Sequence, residues 1–325
     1  MNNIVSGMRP TGKLHLGHYL GVLKTWIRLQ ETRESYFFVA DWHALSTSYE
    51  DKLNIRDLSV GLIKDWLSSG IDPNKSTIFV QSAIKEHSEL FTILNMITPL
   101  GWLERNPTYK DQITQLSGKD INSSGFLTYP VLQTADIILY DANEVPIGED
   151  QRPHLEIARE IVRRFHFLYK KEIFVEPKDL LSETPKLLGL DGRKMSKSYG
   201  NSIYLNDSPD EVWQKLRTAK TDTNRVRKTD KGNPDICLVF DYHKEFSSAE
   251  IQSEMRVGCE AGAIGCMQCK KECFKSIEST LEPMRERRAN LSDDFVLDII
   301  QSGNQKARIK AKAKMEQVNN LVLGM

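Results

Sequence analysis

The sequence lacks most features that would assign it to a specialised class of protein. Its 325 residues carry no net charge, because 44 Lys and Arg residues balance 44 Asp and Glu residues. No segment approaches the ~18 consecutive apolar residues of a membrane helix. The stretch from Met1 to Gly7 has neither a basic segment nor a long apolar run. We therefore expect no membrane span and no signal peptide, and we predict a cytoplasmic protein. Neutral total charge does not exclude a nucleic-acid partner, since a local basic face suffices.

Cysteine is confined to one short region of the chain. All five cysteines lie between Cys237 and Cys273. In a cytoplasmic chain, such clustering favours a metal over disulfides. Two thiolates separated by two residues can share one metal centre, so spacing alone favours a four-thiolate zinc site. The expected ligands are Cys237, Cys259, Cys266 and Cys269, with Cys273 as a spare; the alternative is Cys273 as fourth ligand in place of Cys237.

The first 205 residues alternate short apolar segments with longer amphipathic ones. Strands are predicted at Ile4-Val5, Tyr36 to Ala40, Thr77 to Val80 and Val145 to Ile147, with helical segments between them. This alternation indicates an α/β fold with a Rossmann-type parallel sheet. From residue 206 to 325 the spacing of apolar residues is mainly helical. A chain of this length favours two domains, which we expect to be residues 1–205 and 206–325.

A loop rich in glycine follows the first predicted strand and leads into a helix that begins with His15-Leu16-Gly17-His18. Ligands of open parallel sheets bind at the carboxyl ends of the strands. A helix N-terminus offers unpaired N–H groups that suit phosphate. His15 and His18 are three residues apart and share one face of the first turn. Gly17 leaves room for a flat group such as adenine. The alternative is an ordinary turn with surface histidines.

A second cationic motif occurs much later, at Lys194-Met195-Ser196-Lys197-Ser198, between Gly192-Arg193 and Gly200-Asn201. Two lysines on a loop flanked by glycines can hold a leaving pyrophosphate, on which charge accumulates in the transition state.

The two motifs together, in this order, resemble the signatures of class I aminoacyl-tRNA synthetases. The resemblance extends over nearly the whole chain and is greatest for the bacterial tryptophanyl-tRNA synthetase family. The stretches that carry it are Ser6 to Gly12, Ala40 to Ala44, Gly70 to Pro73, Tyr129 to Ile137 and Val145 to Gln151. It implies that ATP and magnesium activate L-tryptophan to its adenylate. The tryptophanyl group then passes to the 2′-hydroxyl of the terminal adenosine of tRNA(Trp).

The resemblance also implies roles for individual residues. The phosphate-contacting residues are His15, His18, Lys110, Lys194 and Lys197, with Gly17, Met195 and Ser196 in the same two motifs. For the amino acid, the indole acceptor is Asp136, the α-amino contacts are Tyr129 and Gln151, His43 lies at the pocket edge, and the walls are Val5, Gly7, Val145 and Ile147. Asp150 follows Gly148 in the ATP-binding stretch and corresponds to the ribose contact.

Several alternatives remain open at this stage. Asp136 lies in an apolar stretch where a charge needs a partner, so it could instead be paired within the protein. The apolar wall residues could be plain core. A tyrosine-specific enzyme of the same subclass shares the opening loop, and a nucleotidyltransferase that needs no tRNA shares His-x-Gly-His. A regulatory protein that kept the fold is a third reading. Arg9 and Gln133 stand where many bacterial relatives have glutamine and methionine. Arg9 could add a phosphate contact, and Gln133 makes the pocket more polar.

The second half of the chain resembles a minority of tryptophanyl-tRNA synthetases that carry a [4Fe–4S] cluster. This resemblance rests on Gly232 to Cys237 and Gly265 to Lys270. It implies a structural cluster in a domain that faces the tRNA anticodon, and the family implies a homodimer. Basic residues near the cysteines are candidates for phosphate contacts, namely Lys270, Lys271, Arg285, Arg287 and Arg288. The later set of Lys306, Arg308, Lys310, Lys312 and Lys314 fits an exposed helix face better.

Overall fold

The computed structural model describes residues 2–51, 53–107, 109, 123–181, 187–227 and 229–324. The chain forms two compact units. The first comprises Met1–Gly12, Thr25–Glu183 and Leu291–Met325, and the second comprises Lys13–Lys24 and Thr184–Asn290. This division differs from a single boundary near residue 205. The segment with His15 and the lysine loop both belong to the second unit, and the C-terminal helix belongs to the first.

The first unit is built on a parallel sheet with the strand order β3-β2-β1-β4-β5. Its strands are β1 (Asn3–Met8), β2 (Glu34–Val39), β3 (Ser76–Val80), β4 (Glu144–Ile147) and β5 (Lys178–Leu181). The predicted Rossmann-type fold is confirmed, and the first four strands are those expected from the sequence. The sequence pattern did not reveal β5, because half of this edge strand is polar and only two of its residues, Leu180 and Leu181, are apolar.

Helices make up most of the rest of the described chain. In the first unit they are α2 (Lys24–Leu29), α3 (Asp41–Ser48), α4 (Ile55–Ser69), α5 (Glu86–Ile97), α6 (Leu100–Glu104), α7 (Ser124–Ile138), α8 (Arg152–Tyr169) and α13 (Asp293–Val322). In the second unit they are α1 (Leu16–His18), α9 (Pro209–Leu216), α10 (Leu238–Phe246), α11 (Ala249–Glu260) and α12 (Cys266–Ala289). A π-helical turn at Tyr19–Leu23 joins α1 to α2. Among the described residues, no helix is both long and apolar enough to cross a membrane.

Local sequence accounts for several helix ends. The Asn54 side chain accepts a hydrogen bond from the Asp57 N–H and so caps α4. In the second unit Ser208 and Glu211 form a reciprocal capping box at the start of α9. The helices predicted between the strands lie where they were expected, with small shifts at their ends.

The C-terminal helix α13 packs directly on the edge strand β3. A Cβ atom at Gly303 would lie 1.7 Å from the Ile78 carbonyl oxygen, so only glycine permits this approach. Beside it, the Asn304 side chain accepts a hydrogen bond of 3.0 Å from the Val80 N–H. These contacts cover an otherwise unpaired strand edge and explain why the C-terminal helix belongs to the first unit.

Candidate active site

The second unit contains the histidine pair at the start of α1. His15 is the N-cap residue, and its N–H donates to His18 Nδ1 over 3.2 Å. The two rings lie with their centroids 3.8 Å apart. The Leu16 N–H donates to the Ile203 carbonyl, and the Leu205 N–H donates to the Leu14 carbonyl. The two segments are therefore joined by backbone hydrogen bonds, which place the histidines next to the segment that follows the lysine loop.

Both histidines are neutral at physiological pH. Burial lowers the pKa of His15 to about 4, and the charge of Lys197 contributes. The pKa of His18 falls to about 3 through burial first, then through His15 and Lys197. Each ring consequently offers one N–H donor rather than a positive charge. The two histidines therefore contribute no positive charge to this region.

Gly17 lies between the histidines in a crowded position. An added Cβ would be 3.1 Å from two atoms of the His15 ring and 3.5 Å from the Met195 sulfur. Met195 is buried. Gly17 therefore permits the approach of two of the predicted site residues to the backbone of α1.

The lysine loop is anchored by Asn201, which is buried. Its Oδ1 accepts from the Ser196 N–H at 2.9 Å, and its Nδ2 donates to the Lys194 carbonyl at 3.1 Å and to Asp191 Oδ1 at 2.8 Å. The Lys194 side chain is exposed and that of Lys197 is half-buried. One amide thus fixes the backbone while both lysines remain directed away from the core. Sequence reasoning assigned no role to Asn201; its position directly after the loop was the available signal.

The first unit contains a buried hydrogen-bond network around Asp136, whose carboxylate is 1% exposed. Gln81 Nε2 donates to both oxygens at 2.9 Å. His43 Nε2 donates to Oδ2 at 2.9 Å, and His87 Nδ1 donates to Oδ1 at 2.6 Å. Internal pairing of Asp136, which the sequence left open as an alternative, is therefore present. His43 is at the position predicted for the pocket edge and contacts Asp136 directly.

The network keeps the carboxylate ionised. Burial acts to raise the pKa of Asp136, but the hydrogen bonds and charges of His43 and His87 outweigh it and lower the pKa to about 2. Because the carboxylate only accepts, His87 donates through Nδ1, and its Nε2 lies 2.8 Å from the Tyr140 hydroxyl. The Trp42 N–H donates to Gln81 Oε1 at 3.2 Å and so directs the amide NH₂ group of Gln81 toward Asp136.

Sequence reasoning missed Gln81 and His87, which are both fully buried. Gln81 directly follows β3, at the sheet edge where ligands of parallel sheets bind. That position was a usable signal. His87 lies in the first turn of α5, and nothing in its local sequence distinguishes it from a surface residue.

A second network in the first unit joins the two predicted α-amino contacts. The Tyr129 hydroxyl lies 2.5 Å from His154 Nε2, and His154 Nδ1 lies 2.9 Å from Gln151 Oε1. The Gln151 Nε2 group donates to Asp150 Oδ2 over 3.3 Å. The structure therefore brings three predicted residues together through His154, which was not predicted.

A cavity of about 310 Å³ lies beside these two networks. Its wall includes His43 and Tyr129, two of the predicted substrate residues, together with apolar side chains such as Trp42, Phe91 and Leu132. An apolar pocket with few polar groups suits an aromatic amino-acid side chain.

The remaining predicted residues of this unit have varied surroundings. Val5 and Val145 belong to the apolar core, and Ile147 packs against it. The two predicted glycines lie outside this core. Gly7 is exposed on β1, and Gly148 lies against the Asp150 carboxylate. Arg9 donates to Thr47 Oγ1 at 3.3 Å. Gln133 is half-buried on α7. Lys110 lies outside the described residues.

Comparisons with known proteins agree with this arrangement. A profile of class I tRNA synthetases of the tryptophan and tyrosine group matches residues 1–282. The tryptophan–tRNA ligase of Thermotoga maritima is 49% identical and is covered over 97% of both chains. That of Aquifex aeolicus is 43% identical over 97% of this chain and 98% of its own. The chain belongs to the class I tRNA synthetases of this group.

A solved structure supports the same assignment. Tryptophanyl-tRNA synthetase from Campylobacter jejuni, complexed with ADP and tryptophan, is 33% identical and superposes with a TM-score of 0.90. The alignment covers 99% of this chain and 100% of that chain. A tyrosyl-tRNA synthetase from Archaeoglobus fulgidus is 23% identical with a TM-score of 0.67 and shares the fold.

The five cysteines of this synthetase are all free thiols in the second unit. Cys259 and Cys266 both lie near the Arg225 guanidinium, with sulfur to Nη1 distances of 3.8 and 4.0 Å. Burial, followed by the charges of the neighbouring Cys237, Cys259 and Cys266, raises the pKa of Cys269 to about 12. Within the described part of the chain, no three metal-binding side chains come together as ligands of one ion.

Two of the basic residues proposed for phosphate contacts are structural. Lys270 is buried, and its ammonium donates to the Arg217 and Ala219 carbonyls at 2.7 Å each. Arg285 pairs with Glu278. Lys270 therefore stabilises the fold of the second unit and is unsuited to RNA, because its charge is already satisfied away from solvent.

The expectation of an exposed basic face on the C-terminal helix is wrong for part of that helix. Lys314 is buried and pairs with Asp141 at 2.6 Å, and Lys310 pairs with the same carboxylate at 3.3 Å. Arg308 donates to the Ala83 carbonyl at 2.7 Å. These side chains hold α13 against the rest of the first unit.

Proposed function

We propose that this synthetase is a tryptophan–tRNA ligase. In this reaction, L-tryptophan and ATP form tryptophanyl-adenylate, and the tryptophanyl group then passes to the 2′-hydroxyl of the terminal adenosine of tRNA(Trp). The observation that carries the proposal is the buried, ionised Asp136, whose donor His43 lines an apolar cavity, in a chain whose relatives at 40–49% identity are tryptophan–tRNA ligases. An aromatic ring with a single polar N–H matches such a pocket.

Recognition of the substrate is assigned to the first unit. Of the three donors to Asp136, only His43 lines the cavity, whereas Gln81 and His87 are fully buried. We therefore propose that the indole N–H reaches Asp136 from the side of His43. A site that hydrogen-bonds its substrate discriminates against analogues that lack the donor. In this pocket Asp136 keeps its internal donors Gln81, His43 and His87 whichever ligand binds.

Charge stabilisation is assigned to the second unit. The carboxylate oxygen of tryptophan attacks the α-phosphorus of magnesium-bound ATP, the bond to the bridging oxygen breaks, and pyrophosphate leaves with the electron pair. Lys194 and Lys197 balance the charge that accumulates on the leaving group, while neutral His15 and His18 donate hydrogen bonds. No protein nucleophile is needed, so catalysis depends on positioning and electrostatics.

Amino-acid-dependent exchange between ATP and pyrophosphate tests this proposal without tRNA. We expect exchange with tryptophan and none with tyrosine or phenylalanine. Exchange with tyrosine would keep the chemistry and contradict the assigned pocket. If a folded, ATP-binding protein exchanged with no amino acid, a regulatory protein or a nucleotidyltransferase independent of tRNA would be the better reading.

We also propose a [4Fe–4S] cluster bound by Cys237, Cys259, Cys266 and Cys269. The electrostatic influence of the other three thiols on Cys269 indicates that the four sulfurs are neighbours. Together with Arg225 near Cys259 and Cys266, this supports a common site. Four thiols are the usual ligand set of such a cluster, which would supply structural rigidity here. Zinc is the alternative, and it requires the four sulfurs to surround one ion at about 2.3 Å.

Metal analysis separates these cases. We expect about four iron and four acid-labile sulfide per chain after anaerobic purification. Cys266→Ser should abolish both. Cys273→Ser should retain both, since the buried Cys273 sulfur lies 3.9 Å from the Val239 carbonyl oxygen and is proposed as a spare. One zinc and no iron would contradict the cluster.

The remaining expectations concern partners. We propose that the helical region predicted at residues 206–325 binds the anticodon region of tRNA(Trp), that the enzyme is a homodimer, and that it works in the cytoplasm. Sedimentation equilibrium of the purified protein tests the dimer, for which a mass near 74 kDa is expected from the chain mass of 37.2 kDa.

A further inference from the structure

We infer that His154 is a positioning residue that fixes Tyr129 and Gln151 for the α-ammonium group of the amino-acid substrate. The inference rests on the proposed function and concerns a residue outside both signature motifs. His154 is the third residue of α8 and is 2% exposed. It connects α8 to Tyr129 on α7 and to Gln151, the residue before its own helix.

Hydrogen bonds link Tyr129 through His154 and Gln151 to Asp150, and the direction of each one follows from the last group, the Asp150 carboxylate. The Asp150 carboxylate only accepts, so the Gln151 Nε2 group donates to it, and Gln151 Oε1 is left toward His154. An amide oxygen only accepts, so His154 Nδ1 carries the proton. His154 Nε2 of the neutral ring then has a lone pair and accepts from the Tyr129 hydroxyl.

This polarity determines what Tyr129 offers to the cavity it lines. With its only proton committed to His154, the Tyr129 oxygen presents lone pairs alone. Gln151 Oε1 likewise has a second lone pair. Two acceptors suit an ammonium group, which only donates. If Nε2 carried the proton instead, the Tyr129 hydroxyl would be free to donate and would oppose an ammonium group.

Burial supports the neutral form. It lowers the pKa of His154 to about 4, against a smaller raising effect of Asp150, so the ring accepts at Nε2 throughout the physiological range. The ring also stands edge-on to Tyr129, with centroids 5.0 Å apart and an interplanar angle of 76°. Packing and hydrogen bonding therefore hold the same orientation of Tyr129.

The test compares L-tryptophan with indole-3-propionate, which retains the ring and carboxylate but lacks the ammonium group. ATP–pyrophosphate exchange gives KM for tryptophan and for ATP, and the analogue gives an inhibition constant. For His154→Phe we expect KM for tryptophan to rise about 10- to 100-fold, the effect of losing hydrogen bonds to a charged group. KM for ATP and the inhibition constant of the analogue should stay within about 2-fold of wild type.

Conservative variants test the tautomer. His154→Gln keeps an acceptor near the Nε2 position and should restore most of the tryptophan affinity. His154→Asn keeps a donor near Nδ1 but no acceptor for Tyr129, and it should resemble His154→Phe; it also serves if His154→Phe does not fold. His166→Phe, on the same helix, is the control. It removes a ring that accepts from the Ile173 and Phe174 N–H groups, so it should lower stability and leave both affinities unchanged.

The outcomes separate this inference from the proposed function. Weakening of tryptophan and indole-3-propionate to the same degree would overturn the inference, because His154 would then only support the pocket. Unchanged KM for tryptophan in His154→Phe, His154→Gln and His154→Asn would overturn the inference as well. Absence of tryptophan-dependent exchange in the wild type would overturn the proposed function first, and this inference with it.

Discussion

The two units use histidine for opposite purposes. Around Asp136 in the first unit, His43 and His87 both donate to the buried carboxylate, which accepts from Gln81 as well. At the start of α1 in the second unit, buried His15 Nδ1 has no hydrogen-bond partner among the described residues. Asp136 therefore has three donor residues within the protein, whereas His15 Nδ1 remains able to bond to another group.

This difference matches the demands of the roles that we propose for the two sites. Selecting one aromatic side chain requires a rigid acceptor whose geometry is fixed before binding. Handling a triphosphate requires groups that meet a charge which changes during the reaction, and the half-buried or exposed lysines beside neutral histidines suit that task. The internally hydrogen-bonded carboxylate and the more accessible lysines therefore lie in different units, and the following predictions test this contrast.

The largest expected effect comes from disrupting the hydrogen-bond network around Asp136. Asp136→Asn replaces an acceptor oxygen with an NH₂ group that opposes the donors of Gln81, His43 and His87. We expect kcat/KM for tryptophan in pyrophosphate exchange to fall by about 10³- to 10⁴-fold. Asp222→Asn is the matched buried control, since Asp222 accepts two backbone N–H bonds in the second unit. A similar loss in both variants would mean that Asp136 acts only through stability.

Replacing a lysine of the lysine loop tests the site in the second unit. Lys194→Ala should lower kcat by about 10²-fold and leave KM for tryptophan nearly unchanged, because its charge is needed mainly in the transition state. Lys171→Ala, an exposed lysine of the first unit, should have no effect. A rise in KM for tryptophan without a change in kcat would contradict the division of roles between the units.

The rigidity of the first unit depends partly on the fit of α13 against β3. Gly303→Ala should reduce the free energy of unfolding by about 1–3 kcal/mol, because the new methyl group meets the backbone of Ile78. Gly21→Ala is the control, since no atom lies within 4 Å of a Cβ at that glycine. Urea unfolding measures both. Equal stability of the two variants would show that the helix moves away from the strand at little cost.

The last prediction concerns the pH dependence of stability. The pKa values of folded His15 and His18, about 4 and 3, lie below the usual 6.5, so the unfolded chain binds more protons as the pH falls from about 6.5 to 4. Stability should therefore fall in this range. Asp136, with a pKa lowered to about 2, contributes stability that is lost only below its unfolded value of 3.8.

Replacing both histidines in His15→Gln/His18→Gln should flatten this dependence by up to two protons in urea unfolding between pH 6.5 and 4. His154, whose pKa is also about 4, should preserve a residual slope. An unchanged slope in the double variant would mean that the two rings are protonated in the folded enzyme.

The sequence by itself determined what is encoded locally. The alternation of apolar segments predicted the parallel sheet, because strand and helix periodicities are properties of neighbouring residues. The histidine pair and lysine loop were recognisable because each motif places its chemistry within five residues. Their role in phosphate contact stays a prediction.

Only the tertiary structure decided which distant residues share an environment. It brought Gln81 and His87 to Asp136, His154 to Tyr129, and Asn201 to the backbone of the lysine loop. It also buried Lys270 and Lys314, which look like ordinary surface lysines in the sequence, against backbone carbonyls. Burial and hydrogen-bond partners depend on the packing of segments far apart in the chain, and local periodicity carries no information about that packing.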